Sequence, residues 1–60
     1  MKILIADGIN YGIVDKFFED NEKYIFKASN KEIAFPKIKY KLEETDTKYI
    51  MNFIWMPSNK

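Results

Sequence analysis

The fold class depends on residues 13–18, IVDKFF, because this stretch is compatible with either a helix or a strand. Its apolar residues come in adjacent pairs, whereas a half-buried strand alternates apolar and polar residues. Together with Ile9, the apolar positions form a stripe at helical spacing, and charged residues fill the opposite side. We therefore predict an α-helix over Asn10 to Asp20, with a buried stripe of Ile9, Ile13, Val14, Phe17 and Phe18. If residues 13–18 are extended, the alternative is a small all-β barrel of five strands.

Strands are predicted on both sides of this segment. Lys2 to Ala6 is a short, mainly apolar run that Asp7-Gly8 ends, which indicates a buried strand. Lys23 to Ala28 alternates, with its even-numbered residues on one face. Residues 29–32, SNKE, are expected to form a turn or a single helical turn. Pro36 cannot donate to a ladder, so it begins the next strand or lies on a sheet edge.

Two strands toward the carboxyl end complete the predicted sheet. Residues 37–42 alternate lysine with an apolar residue, and Thr47 to Met56 is the longest predicted strand, stopped by Pro57. The order β-α-β-β-β predicts the fold class α+β, a two-layer domain with one helix on a small four-stranded, mostly antiparallel sheet. Since 60 residues make one domain at most, residues 1–60 are expected to form a single small domain.

The composition argues against catalysis. The sequence has no Cys and no His, so it offers neither a disulfide, an ordinary zinc site nor the usual base for a nucleophile. Gly8 and Gly12 do not form a phosphate-binding loop, because no Gly-x-Gly or Gly-Lys-Ser/Thr follows the first strand. We therefore expect no enzyme, no cofactor and no metal site. Residues 1–6 hold too short an apolar run for a signal peptide or a membrane helix, so we expect a cytoplasmic protein without membrane association.

Three short stretches of the sequence are residues 1–7, MKILIAD, residues 27–30, KASN, and residues 54–57, IWMP. Together they resemble stretches of a response-regulator receiver domain. That resemblance implies an α/β fold with an acidic pair after strand one and a phosphoacceptor Asp four residues before the proline. Here Gly8 replaces the second acid and Phe53 stands at the acceptor position. No receiver-domain residue is therefore transferred to this chain.

The last predicted strand is apolar on both faces, which points to a binding surface. Tyr49, Met51, Phe53 and Trp55 share one face, whereas Ile50 and Ile54 belong to the other. If Tyr40 lies opposite Tyr49, the aromatic set is core. If Lys39 lies opposite Met51, the aromatic set is exposed among lysines. A shift of one residue exchanges the two faces.

The first register is favoured, because burying one large side chain is worth about 1.5–3 kcal/mol. The repulsion it creates between Lys41 and Lys48 costs under about 1 kcal/mol. This register predicts an outer face with an apolar centre and a basic rim. The predicted binding residues are Ile50, Ile54, Lys37, Lys39, Lys41 and Lys48.

We expect a small non-catalytic protein-binding module, of the kind that stoichiometric inhibitors, antitoxin-like factors and regulators of phage or mobile-element type represent. The two apolar faces predict a homodimer or a tight complex with another protein. The alternative is single-stranded nucleic-acid binding, with bases stacked on aromatic rings and lysines at the phosphates. The formal net charge of +1 and the absence of Arg rank this alternative second.

Overall fold

The computed structural model describes residues 1–55, and this part of the chain is all-β. Its strands are β1 (Ile3–Ala6), β2 (Ile9–Glu19), β3 (Lys23–Ala28), β4 (Lys31–Pro36), β5 (Tyr40–Glu44) and β6 (Lys48–Phe53). The predicted α+β class is therefore wrong: residues 1–55 contain six strands in one mixed sheet and no helix. It follows that no helix in the described range could span a membrane.

The predicted helix over Asn10 to Asp20 is strand β2. Residues 13–18 are extended, which is what the all-β alternative required, although that alternative counted five strands. Two irregularities interrupt the pairing of β2. One lies between Leu4 and Ile5 of β1, where Tyr11 has no partner, and the other lies between Val14 and Lys16, where Asp15 has none. Each adds one residue to β2 and changes which residues face inward.

Two tight turns set two of the hairpins, β1–β2 and β3–β4. Asp7 and Gly8 join β1 to β2 with φ of 53° and 76°, and Ser29 and Asn30 join β3 to β4 with φ of 54° and 63°. Two successive positive φ values match a type I′ turn, whose twist suits a two-residue hairpin. Residues 31 and 32 belong to β4, so the turn predicted over residues 29–32 is shorter than expected.

The sheet order is β4-β3-β2-β1-β6-β5, so β1 lies in the interior and β4 and β5 form the edges. Strands β1 and β6 are parallel, with Ile3 opposite Lys48 and Ile5 opposite Ile50, and the other neighbours are antiparallel. Pro36 ends the edge strand β4, as one of its two predicted positions allows. The predicted last strand is shorter at both ends, and Met56 lies outside the described residues.

The sheet curls around a core on its inner face. Phe26 and Leu4 are fully buried, and Phe17 packs on both Phe26 and Tyr49 at ring-centroid distances of 4.8 and 5.3 Å. Phe35 of β4 contacts Tyr40 of β5 at 5.0 Å, although these strands stand at opposite ends of the sheet order. The two edges therefore approach one another over the core.

The residues of the predicted helical stripe lie on both faces of β2. Val14 and Phe17 pack against the core, as expected. Ile9, Ile13 and Phe18 are instead exposed, with Phe18 at 47% and Ile13 at 48%. Consecutive residues of a strand point to opposite faces, so neighbouring apolar residues of β2 cannot all be buried.

The β5–β6 hairpin pairs Tyr40 with Phe53 and Leu42 with Met51. The favoured register placed Tyr40 opposite Tyr49, so the predicted pairing is wrong by four residues. A shift of four residues preserves the faces, and Tyr40 and Leu42 do pack against the core beside Tyr49. Ile38 lies in the turn of residues 37–39, not in a strand, and is 73% exposed.

Candidate binding surface

The outer face of β1 and β6 is apolar. Leu4 and Ala6 are buried in the core, so Ile3 and Ile5 between and beside them point to the opposite face. The same alternation in β6 buries Met51 and directs Ile50 outward. The outer face thus receives isoleucine side chains from two parallel neighbours.

These side chains are adjacent across the strands. Ile5 lies opposite Ile50 on β6, and Ile3 lies opposite Ile13 on β2. We call this group, Ile3, Ile5, Ile13 and Ile50, the isoleucine surface. Three of its members are half-buried by their neighbours alone, and Ile13 is more open. Parallel strands are ordinarily covered on both faces, and the described part of this chain places no second layer over this one.

Ile54 and lysines lie around the isoleucine surface. Ile54 is 52% exposed and lies directly after the end of β6. Its N–H donates to the carbonyl of Lys39 at 2.8 Å. Lys41 lies opposite Asn52, and Lys48 lies opposite Ile3. By alternation these lysines share the outer face with Ile50.

Of the predicted binding residues, Lys37 is the one placed elsewhere. Its Nζ lies 2.6 Å from Glu19 Oε2 and 5.1 Å from the centroid of the Tyr24 ring. It therefore neutralises a carboxylate at the far end of β2. Ile50, Lys41 and Lys48 share the outer face, and Ile54 and Lys39 are joined by a backbone hydrogen bond at the end of the same hairpin.

Glu43 is an acidic neighbour that the sequence argument missed. It lies opposite Ile50 on the outer face, and its Oε1 accepts a hydrogen bond from Asn52 Nδ2 at 3.4 Å. Ile3, Ile5 and Ile13 were also missed. Ile3 and Ile5 belong to an apolar run that indicated burial on both faces, and the alternation of Ile13 is hidden by the unpaired residue at Asp15.

Two aromatic residues that were expected in the core lie at the surface. Phe53 is 53% exposed and Trp55 is 38% exposed. The Lys39 ammonium lies over the Trp55 ring at 5.1 Å from its centroid, a cation–π contact, and Tyr40 packs edge-on to Phe53. The β6 strand ends at Phe53, so the alternation that would have buried Trp55 does not continue.

Polar contacts fix the corner beside these aromatic residues. The Tyr40 hydroxyl donates to Asp7 Oδ2 at 3.0 Å and ties β5 to the β1–β2 turn. Burial, and then the hydrogen bond to this carboxylate, raise the pKa of the Tyr40 phenol. The ammonium of Lys2 is paired with Glu44, and this hydrogen bond raises the pKa of Lys2. Strand β5 is thus anchored at both ends, to the β1–β2 turn and to the residue before β1.

The side chains of the outer face are apolar at the centre and charged at the border. No group of three or more acidic residues positioned to hold a metal ion is found within residues 1–55. Apolar area bordered by charged side chains suits association with another surface. No protein-family model, no curated protein and no solved structure matches this chain.

Proposed function

We propose that this protein is a small non-catalytic binding module that holds a protein partner on the isoleucine surface. The observation that carries this proposal is the pair Ile5 and Ile50, adjacent on parallel strands and only half-buried on the outer face. Covering such a pair removes apolar area from water, which is worth about 25 cal/mol per Å². A partner that covers the surface therefore gains affinity without inducing any new structure in this chain.

The charged residues beside the isoleucine surface indicate the complementary chemistry of the partner. Lys39, Lys41 and Lys48 form a basic rim, which Glu43 interrupts. A partner with acidic residues around an apolar centre would be oriented by the lysines and held by the isoleucines. Charged rims mainly change association rates, whereas the desolvated centre determines the lifetime of a complex.

This mode of action suits the class of inhibitors, antitoxin-like factors and small regulators. A chain of 60 residues can act by occluding a partner, because occlusion needs one complementary face and no catalytic group. We propose that class for this protein.

A second candidate function is single-stranded nucleic-acid binding. The exposed Trp55 with Lys39 above its ring favours it, because bases stack on exposed rings while lysines contact phosphates. The near-neutral net charge of +1 opposes it, since phosphate contacts supply most of the affinity in such complexes.

The first prediction compares Ile54→Asp with Lys39→Glu in quantitative capture from an extract of the native host. Ile54→Asp should weaken the capture of partners that the unmodified protein retains, because it places a carboxylate beside the isoleucine surface. A loss of about 1–2 kcal/mol at such a border position lowers affinity about five- to thirtyfold. Lys39→Glu should mainly slow association and change its salt dependence.

Phe18→Asp is the matched control, since Phe18 is also exposed and apolar but lies away from the isoleucine surface. It should leave capture unchanged, and circular dichroism should show that all variants are folded. If capture by Ile54→Asp is as strong as capture by the unmodified protein, the proposal is contradicted. Loss of oligothymidine binding by a folded Trp55→Ala variant, with affinity falling steeply with salt, would establish the second candidate instead.

A further inference from the structure

We propose that the exposed edge of β5 pairs antiparallel with β5 of a second copy, centred on Leu42. This inference names a second contact and a second partner, and two of its residues, Lys41 and Glu43, also border the isoleucine surface. It rests on which backbone groups of β5 remain unpaired and on the order of charges along this strand.

The ladder between β5 and β6 shows which groups face the open edge. Thr45 N–H donates to Lys48 O at 2.9 Å and Ile54 N–H donates to Lys39 O at 2.8 Å, so these pairs are hydrogen-bonded positions of the hairpin. Hydrogen-bonded positions alternate along an antiparallel ladder. Lys41 and Glu43 therefore point their backbone groups at β6, whereas Tyr40, Leu42 and Glu44 point theirs at the open edge.

These edge groups have no partner in the described structure. Strand β5 ends the sheet order, and no backbone hydrogen bond within residues 1–55, outside the strands, uses an N–H or C=O of Tyr40, Leu42 or Glu44. A row of unpaired donors and acceptors is a template for another strand. In an antiparallel pair of two such edges, each of these residues would exchange hydrogen bonds with the second copy.

The charges select one register for that pairing. Leu42 opposite Leu42 of the second copy places Lys41 opposite the second copy's Glu43, and Glu43 opposite its Lys41. The side chains of Lys41 and Glu43 are exposed and lie at the closely spaced, non-hydrogen-bonded positions, where cross-strand charges interact best. A shift of the second copy by two residues, the smallest that keeps the hydrogen bonds, places Lys41 against Lys41 or Glu43 against Glu43.

The other sheet edge, β4, lacks these properties. Pro36 has no N–H, and its carbonyl already accepts a hydrogen bond from Lys39 N at 3.0 Å. Lys31 and Glu32 of β4 are neighbours, so one faces β3 and the other faces the open edge, and no register that pairs the edge-facing groups of two β4 strands places these opposite charges together. Strand β5 is therefore the edge that is complementary to itself, which a twofold dimer requires.

The experiment is sedimentation equilibrium on charge-reversal variants at about 10 µM to 1 mM, because pairing of two edges buries less than a standard interface of about 1,600 Å². The unmodified protein should form a dimer. Lys41→Glu and Glu43→Lys each replace both cross-strand ion pairs with repulsion, so each should raise the dimer dissociation constant by about tenfold or more.

Mixing the two variants is the decisive measurement. In a mixed dimer the two glutamates of Lys41→Glu face the two lysines of Glu43→Lys, so the mixture should dimerise although neither variant does alone. Lys31→Glu, a reversal on the β4 edge, should leave dimerisation unchanged. A protein that stays monomeric throughout this range, or a dimer that ignores both reversals, overturns the proposal.

Amide hydrogen exchange locates the contact. As the concentration rises, the amides of Tyr40, Leu42 and Glu44 should become protected, whereas those of Glu32 and Ala34 on β4 should not. Protection that appears on β4, or on neither edge in a sample that sediments as a dimer, assigns the interface elsewhere and refutes pairing through β5.

Discussion

At the scale of single residues, the burial of the adjacent residues Phe17 and Phe18 distinguishes a strand from a helix. A helical stripe would bury both rings, whereas β2 packs Phe17, partly buried, against three aromatic rings and leaves Phe18 47% exposed. The chemistry of the two residues is the same, so their environments alone distinguish them. They therefore form a matched pair for mutation.

The prediction is that Phe17→Ala destabilises the protein severely and Phe18→Ala does not. Removing a packed phenylalanine costs about 3–5 kcal/mol, a large part of the stability of a small domain. Truncating a half-exposed ring should cost well under half of that. Urea unfolding of both variants measures the difference, and equal losses at the two positions would contradict the strand geometry.

At the scale of secondary structure, β2 shows what the sequence could reveal and what it concealed. Strands β1 and β3 were predicted with nearly their observed bounds, because their apolar residues match simple strand patterns. In β2 the unpaired residues Tyr11 and Asp15 interrupt the alternation. Tyr11, Val14 and Phe17, which pack against the core, are consequently spaced three apart, and that spacing imitates a helix.

The residues of the proposed binding face also differ in how far they can be predicted from the local sequence. The alternation within β6 correctly predicts that Ile50 lies on the face away from the core, because that inference needs only the sequence of one strand. The contribution of Ile3 depends on a parallel pairing across most of the chain, which no local pattern encodes. The Asp7-Gly8 dipeptide, which predicts the end of β1, is also typical of type I′ hairpin turns, and it joins β1 to β2.

A prediction at this scale concerns Gly12, beside the first irregularity of β2. Its φ is +98°, and an added Cβ would lie 2.7 Å from Ser29 Oγ, so Gly12→Ala introduces both backbone strain and a clash. We expect a loss of about 1–3 kcal/mol, of which the unfavourable φ supplies about 1–2 kcal/mol. Thermal or urea unfolding measures it.

Ser29→Ala separates the two causes. It removes Oγ, so the double variant with Gly12→Ala should lose less stability than the two single variants added together. Gly8→Ala is the control, because Gly8 also has a positive φ but nothing lies within 4 Å of its added Cβ. Gly8→Ala and Ser29→Ala should be additive. Additivity at Gly12 as well would show that the clash is relieved at no cost.

At the scale of the whole molecule, the curled sheet presents two kinds of contact surface, one made of side chains and one made of backbone groups. Its outer face presents the isoleucine surface, and its β5 edge presents unpaired backbone groups. Antiparallel pairing of two β5 edges would place both isoleucine surfaces on the same side of one continuous sheet. A partner with two copies of its acidic-rimmed site could then bind both, which increases affinity through effective concentration.

The parallel pairing of β1 with β6 also determines how the chain must fold. Ile3 pairs with Lys48, so the interior strand of the sheet cannot complete its ladder until residues 45 positions away have arrived. The four hairpins close locally, in about 1–10 µs each, whereas joining β6 to β1 closes a loop over most of the chain. We expect stopped-flow refolding in the range of about milliseconds to seconds, despite the small size, because distant contacts slow folding. Refolding in microseconds would show that this joining is not rate-limiting.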